Sequence, residues 1–368
     1  MMSIWQNDTS AARDTASDDQ LKLIELMLLS KLKTKFTPAV LAVLGAPLFV
    51  GCNGFIHDDL PECNHDIRVK LSYTMNMDFE ERIAEVPTAH IFIFDSKGML
   101  AGEKTVTSAE LVAADGVTSV TVPASGDYQI VVWGGLSEDS PFRLDGTRAV
   151  STIEDVTCRL MYETTEQGHK VNKTHFPHLY HSLTPTTFQV SDVEQEIVLN
   201  ELTKNTNTLT VTLHNRSDKP LKAGEYTFVV TDNNAVMGHD NSIKPEDTHV
   251  QYHATAVESG KRPVSDGQGG VSGTQAESVV ATIPLARLME DSAGYLYVYK
   301  GTEEIAKVSI TELLLKCKQY EAPHMDNQEY LDRQDSYSIS FFVNEGGYVI
   351  KSLVYVNDWE IITQDIDF

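Results

Sequence analysis

Leu209, Val211 and Leu213 alternate with Thr208, Thr210 and Thr212, which puts every apolar side chain of that stretch on one side of an extended chain. A period of two with one apolar face is the pattern of a strand half-covered by a core. Similar β-branched and aromatic runs recur at Val86 to Asp95, Val117 to Pro123, Tyr128 to Trp133, Tyr226 to Thr231, Val279 to Pro284, Tyr295 to Tyr299, Ser336 to Val343 and Tyr348 to Val356. Gly, Asp and Asn turns separate them. Helical patterning is confined to Ile310–Gln319 and Glu80–Glu85. The chain therefore reads as mainly β, built as antiparallel β-sandwiches. Its 368 residues suffice for two domains, each with its own core. The polar stretch Asn200 to Asn207 places the boundary near residue 200, with one domain over 67–200 and the other over 201–368. Residues 259–278 are Gly-rich and lack an apolar period, so they are expected to form a long flexible loop.

The start of the chain is a targeting segment. Lys31, Lys33 and Lys35 form a basic region, and Phe36 to Val50 an apolar one of signal-peptide length. Gly51 and Cys52 follow. A small residue before Cys at this point resembles a bacterial lipoprotein signal, in which the Cys thiol is acylated and the chain is cut just before it. Phe49 departs from the Leu usual three residues before that Cys. Asp8, Asp14, Asp18, Asp19 and Glu25 do not fit a signal, so the simplest expectation is that translation starts at Met27, with a true amino-terminal extension as the alternative. Residues 1–51 are then signal and 52–66 a lipidated linker.

Lys and Arg total 29 against 53 Asp and Glu, a net charge of −24. Such a surface repels phosphate backbones, which argues against nucleic acid as a partner. It also repels anionic lipid, so a membrane must be held through the acyl chains on Cys52. In an exported chain, Cys63, Cys158 and Cys317 can give one disulfide in three ways. Cys63 and Cys158 share the first domain and are the expected pair. Val156, Cys158 and Leu160 also alternate as one strand face, which leaves Cys158 open as a core thiol.

Candidate chemistry is sparse. His175, His178 and His181 recur at spacing three, but Pro177 breaks the helix that would stack them, and no metal is expected. Asp232-Asn233-Asn234 and Gly238-His239-Asp240-Asn241 are oxygen-rich, yet lack the alternation and closing Glu of a calcium loop. Asp58-Asp59 and Asp332-Arg333 read as turn or surface charges. Gly269-Gly270 follows no predicted strand and opens no helix, so no phosphate cofactor is implied. Neither a paired-carboxylate motif nor a nucleophile elbow is present. Tyr295, Tyr297 and Tyr299 share a strand face and read as packing residues, with a sugar-stacking platform as the alternative.

Ile56-His57-Asp58-Asp59-Leu60-Pro61-Glu62-Cys63, just after Cys52, resembles the FimB-like fimbrial anchor family, lipoprotein minor subunits of the fimbriae of Gram-negative oral and gut anaerobes. His57 stands where that family carries an aromatic residue. Arg68 to Met77, His90 to Asp95, Tyr128 to Gly135, His178 to His181, Tyr330-Leu331-Asp332-Arg333, Phe341-Phe342 and Asp358-Trp359 follow in the family's order across residues 52–368. The resemblance implies two transthyretin-like β-sandwich domains in tandem and no enzymatic activity. It also implies a role in anchoring a fimbrial shaft to the outer membrane and limiting its length. Subunits of this kind join by strand addition. The candidate joining strand is the last apolar run, with Trp359, Ile361 and Ile362, and the alternative is that this run closes the second sandwich. A surface glycan-binding lipoprotein of a nutrient-uptake system is the competing function. Cys52→Ala is expected to leave the protein unlipidated and release it from the membrane pellet on fractionation; unchanged retention would refute the lipoprotein reading.

Overall fold

The period of two is realised where the sequence is most regular. The computed structural model describes residues 64–361 apart from 147–151, 192, 194–195 and 245–248. The described residues form one compact unit. In chain order the strands before residue 205 are β1 (His65–Met75), β2 (Thr88–Asp95), β3 (Leu100–Thr107), β4 (Val117–Val122), β5 (Gly126–Gly134), β6 (Phe142–Asp145), β7 (Thr157–Leu160), β8 (Glu163–Thr164), β9 (Lys170–Asn172), β10 (Tyr180–Ser182), β11 (Thr186–Val190) and β12 (Val198–Lys204). After it come β13 (Thr206–Asn215), β14 (Tyr226–Asp232), β15 (Val236–Gly238), β16 (Val250–His253), β17 (Ala256–Ser265), β18 (Val271–Ala286), β19 (Tyr295–Lys300), β20 (Glu303–Ser309), β21 (Ser336–Val343), β22 (Val349–Val356) and β23 (Trp359–Ile361). Three α-helices, α1 (Ser108–Ala113), α2 (Ile310–Glu321) and α3 (Asn327–Arg333), and three short 3-10 turns, Ile83–Glu85, Ile153–Asp155 and Ala223–Glu225, complete the described elements. The fold is mainly β and contains several sheets.

The first sheet runs β3-β2-β5-β10-β12-β1-β4, with β11 added on β5. Its two ends approach each other at Gly102. A Cβ there would lie 2.6 Å from the Thr121 carbonyl oxygen, so only glycine lets β3 come this close to β4. Lys104 Nζ then donates to the Ser119 carbonyl at 2.9 Å. The curled sheet encloses Ile67, Val69, Leu71, Ile91, Ile93, Ile130 and Val132. Strands β2 and β5 are buried on both faces. Their opposite side chains, Phe92, Phe94, Val131 and Trp133, enter a second core. That is why TAHIFIFD and YQIVVWG read as near-continuous apolar runs rather than as alternation.

The second core lies among two six-stranded sheets, β17-β18-β13-β21-β22-β23 and β20-β19-β14-β16-β9-β8, and a small sheet, β15-β7-β6. Strand β13 is central to the first of these. It pairs antiparallel with β18 (Leu209 opposite Ile283) and parallel with β21 (Leu209 beside Tyr337). Strands from both sides of residue 200 meet in the other two sheets: β9 runs parallel to β16, and β7 pairs with β15, setting Cys158 opposite Met237.

Residues 259–278, expected to be a loop, instead form most of the β17–β18 hairpin. Pairs from Ala256↔Thr282 to Ser265↔Val271 hold it. Its outer part is exposed on both faces, so it has no apolar face for a sequence pattern to reveal. The expected helix at 310–319 is α2, whereas 80–85 supplies only a 3-10 turn at Ile83–Glu85. Helix α1 opens with a capping box in which Thr107 and Glu110 each bond the other's backbone N–H, a signal that the sequence carries as Thr-x-x-Glu.

Helix α3 ties the parts together, and here Asp332 corrects the reading of a surface charge. Asp332 and Arg287 are 5 % and 7 % exposed. They form a two-pronged pair, Nε to Oδ1 at 2.8 Å and Nη2 to Oδ2 at 2.7 Å. Arg287 also donates to the Asn241 carbonyl, and Asn241 pairs with Asn205. The Asp332 carbonyl accepts from Thr203 of β12 at 3.1 Å. Arg333 donates to the carbonyls of Thr74 and Asn76 at the end of β1, and Lys204 pairs with Asp335. Breaking a buried pair by removing one partner costs about 3–5 kcal/mol, because the other charge stays buried. Asp332→Asn is therefore expected to lower the unfolding free energy by about 3–5 kcal/mol in a urea titration, while the double variant Arg287→Met/Asp332→Leu recovers most of the loss.

Candidate functional site

The residues expected to carry membrane attachment, Gly51 and Cys52, lie outside the described residues, as does Cys63. Cys158 is fully buried with a free thiol, and burial pushes its thiol pKa far up. Val156 and Leu160 are buried beside it, as the alternation suggests. Cys317 is likewise buried and free, its Sγ contacting the Val356 carbonyl at 3.3 Å.

The carboxyl-terminal run is built by a two-residue turn. Asn357 and Asp358 both have positive φ, 46° and 68°, as a tight hairpin between β22 and β23 demands. Asn357 Oδ1 accepts from Ser338 N at 2.9 Å, and its Nδ2 donates to Glu321 at 3.2 Å. Trp359 and Ile361 then pair with Val356 and Val354. The Trp359 ring stacks on Tyr320 of α2 with centroids 5.0 Å apart and planes within 9°, and Ile361 is 2 % exposed. Ile362 lies outside the described residues. Strand β23 ends its sheet, and the tip of the β17–β18 hairpin covers that edge. Gly269 N donates to the Asp358 carbonyl at 3.1 Å and Glu360 N to the Gly267 carbonyl at 3.2 Å, while Ser265 Oγ reaches the Asp358 carbonyl at 2.7 Å. A Cβ at Gly269 would meet the Trp359 ring at 2.6 Å, so this hairpin needs its glycines to lie on the indole. This tip is the contact that the sequence reading missed.

The three histidines do not converge. His175 and His178 are exposed, whereas His181 is fully buried with its ring centroid 3.9 Å from that of Trp133. Burial lowers the His181 pKa to about 3, so it is neutral at ordinary pH. The main chain near His178 is close to Gly135, where a Cβ would lie 2.0 Å from the His178 carbonyl oxygen. That explains physically why Tyr128 to Gly135 ends in a glycine pair. Among the described residues no group of three His, Cys, Asp or Glu could hold a metal ion.

The oxygen-rich loops are occupied by the protein itself. Asp232 accepts from Ser292 Oγ at 2.5 Å and Asn233 N at 2.7 Å, with burial raising its carboxyl pKa against both bonds. Asn234 accepts from Tyr252 at 2.6 Å and donates to the Arg287 carbonyl at 2.8 Å. Tyr295, Tyr297 and Tyr299 stand half-exposed on the outer face of β19, while Leu296 and Val298 fill the core. Neighbouring ring centroids are 6.2–6.3 Å apart, and Lys307 Nζ sits 4.5 Å from the centre of Tyr295.

A profile of the family described as Mfa2, fimbrillin-A associated anchor proteins Mfa1 and Mfa2, matches residues 60–365. No curated protein matches the chain. Solved structures do. One from Bacteroides thetaiotaomicron, described as an adhesin, has a TM-score of 0.68 at 24 % identity and covers 83 % of this chain and 99 % of its own. Another from the same species, described as a polysaccharide-binding protein, has a TM-score of 0.68 at 21 % identity, covering 82 % and 98 %. The fimbrial anchor protein Mfa2 from Porphyromonas gingivalis has a TM-score of 0.60 at 15 % identity, covering 82 % and 99 %. At these identities the likeness is one of fold. Ile361→Ala is expected to lower the unfolding free energy of the isolated protein by about 2–5 kcal/mol, measured by chemical denaturation, as for other buried truncations.

Proposed function

The chain belongs to the Mfa2 family of fimbrillin-A associated anchor proteins, and from that premise we propose that it is the anchor subunit of a fimbrium. Its role is of the fimbrial and adhesin type, and its place is at the cell surface or envelope. In our reading it is an outer-membrane lipoprotein, held by acyl chains on Cys52, that joins the shaft to the membrane and limits its length. The observation that carries this is the family match beginning at residue 60, eight residues beyond Cys52.

The body divides as two transthyretin-like sandwiches in tandem, 67–200 and 201–368, behind a linker at 52–66. The core enclosed by the first sheet, drawn wholly from residues before 203, supports a first sandwich of its own, while β7 and β9 reach across to pair with strands of the second. Shaft subunits attach by strand addition. If the carboxyl-terminal run supplies the joining strand, it does so by exchange: Trp359 and Ile361 leave β22 and Tyr320 for equivalent contacts in the neighbour. A second reading, glycan binding at the cell surface, draws on the half-exposed Tyr295, Tyr297 and Tyr299 with Lys307 above them. One experiment separates the two. Isolated in mild detergent from its native membrane, the protein is expected to bring fimbrial subunits with it. Recovery without subunits, together with binding to oligosaccharide that Tyr297→Ala abolishes, would replace the anchor reading with the second.

A further inference from the structure

Phe79 is strained and exposed together. It is a bulky residue at φ 58°, in the left-handed region that favours glycine, and it is 58 % exposed. Neither burial nor chain geometry asks for an aromatic ring there. The loop nevertheless holds it firmly. Asn76, itself buried, accepts from the N–H groups of Asp78 and Glu80 at 3.2 and 3.3 Å, and its Nδ2 donates to the Glu80 carbonyl at 2.8 Å. Phe79 N donates to the Asn76 carbonyl at 3.2 Å. The Arg333 guanidinium lies 4.1 Å from the ring centre, and Arg333 is fixed in turn by Glu329 at 2.8 Å and by the carbonyls of Thr74 and Asn76. Strain kept at an exposed position by a built loop points to a contact made with something else.

Phe79 borders a cavity of about 460 Å³ between the turn after β1 and the turn joining α2 to α3. Met77, Phe79, Pro323 and Met325 supply its apolar wall, and both methionines pack inward on the second core. Methionine side chains are unbranched and adapt to a partner's shape. Glu321 and Glu329 line the same cavity. Each already accepts internal bonds, Glu321 Oε2 from Tyr330 and Asn357, and Glu329 Oε1 from Arg333. A carboxylate has about four acceptor positions, so each can take a further donor. The nearby cations are committed: Arg82 to Asp78 and Glu85, Arg333 to Glu329, and Lys318 Nζ to the Met325 carbonyl. Asp78, Glu80 and Asp326, exposed and adjacent in sequence to lining residues, add to the negative charge.

We propose that this cavity is a docking site for a Lys or Arg side chain that a partner protein carries beside an apolar residue. The aliphatic stem of such a side chain lies along Phe79 and the methionines, while its charged head reaches Glu321 and Glu329. The apolar neighbour covers the exposed ring. The contact is made by side chains, so it is separate from any pairing of main chains at a sheet edge. Charge excludes the nearer occupants. A second copy of this chain brings a net charge of −24. The chain's own residues 52–63 carry Asp58, Asp59 and Glu62, and residues 362–368 carry Asp365 and Asp367. Anionic lipid is repelled by the same carboxylates.

The test uses the full chain in its native membrane, with the photo-cross-linker p-benzoylphenylalanine in place of the exposed Pro323. It is expected to react with one segment of another protein, and that segment is expected to contain Lys or Arg next to an apolar residue. His324, exposed on the rim, tunes the local charge: His324→Lys is expected to lower the cross-link yield several-fold and His324→Glu to raise it. Phe79→Gly suits the left-handed backbone and removes the ring. It is expected to lower the yield several-fold, while the unfolding midpoint of the isolated protein does not fall. The proposal is overturned by the absence of any cross-link, by a target segment without a basic residue, or by a yield indifferent to both His324 variants. Cross-links confined to lipid, to a second copy, or to residues 52–63 or 362–368 of the same chain overturn it as well. So does an unchanged yield in Phe79→Gly, because the ring would then serve only Arg333. Where that variant lowers the midpoint, the His324 pair, read on the native loop, decides. None of these outcomes depends on whether the partner is a fimbrial subunit, so the anchor reading stands or falls separately.

Discussion

The buried pair of Arg287 and Asp332 is the interaction on which the rest of the body depends. Both ions are nearly sealed from water, so each needs the other and further donors and acceptors besides. Those partners come from distant parts of the chain: Asn241 before β16, Thr203 on β12 and Gln328 on α3. None of these bonds forms until the strands around them are in place. Once formed, they fix α3 against the curled first sheet, where Arg333 caps the end of β1. The Arg333 guanidinium also lies over the Phe79 ring at 4.1 Å. The two apolar cores supply most of the folding free energy, but apolar contact is non-directional. The polar junction supplies the geometry that apolar contact lacks.

That division of labour decides what could be read in advance. Strands such as β13 and β19 announced themselves because apolar side chains on one face alternate with polar or half-exposed ones on the other. Strands β2 and β5 were visible for a different reason: both faces are buried, so the apolar run is unbroken. The β17–β18 hairpin was missed because its outer half is wet on both faces, and a period-two pattern has nothing to alternate between. Asp332 was misread because burial is tertiary. A carboxylate four residues after Gln328 on a short helix looks like any surface charge until Arg287 arrives from 45 residues away. The Thr107–Glu110 capping box, by contrast, was present in the sequence and simply passed over.

The same reasoning applies to the candidate sites. The turn at Asn357-Asp358 and the apolar run after it were legible, because a two-residue hairpin with positive φ favours Asn and Asp. What covers that strand was not. The glycines of the hairpin tip are spaced for contact with an indole 90 residues further on, and nothing local to them says so. The His175, His178 and His181 series shows the converse. Equal spacing in sequence suggested convergence, yet only His181 points into the core, where it packs on Trp133.

An exported β protein of this size must dispose of its sheet edges, since an exposed edge invites unwanted pairing. Several edges here are visibly managed. Strands β3 and β4 close on each other at Gly102. The hairpin tip covers β23. Strand β17 carries Glu258, Lys261, Arg262 and Pro263, and β20 carries Glu303, Glu304 and Lys307, which are charges and a proline of the kind that block strand addition. Blunted rims of this kind limit unwanted edge-to-edge pairing, and a β-rich chain that works among other β-rich subunits needs that protection.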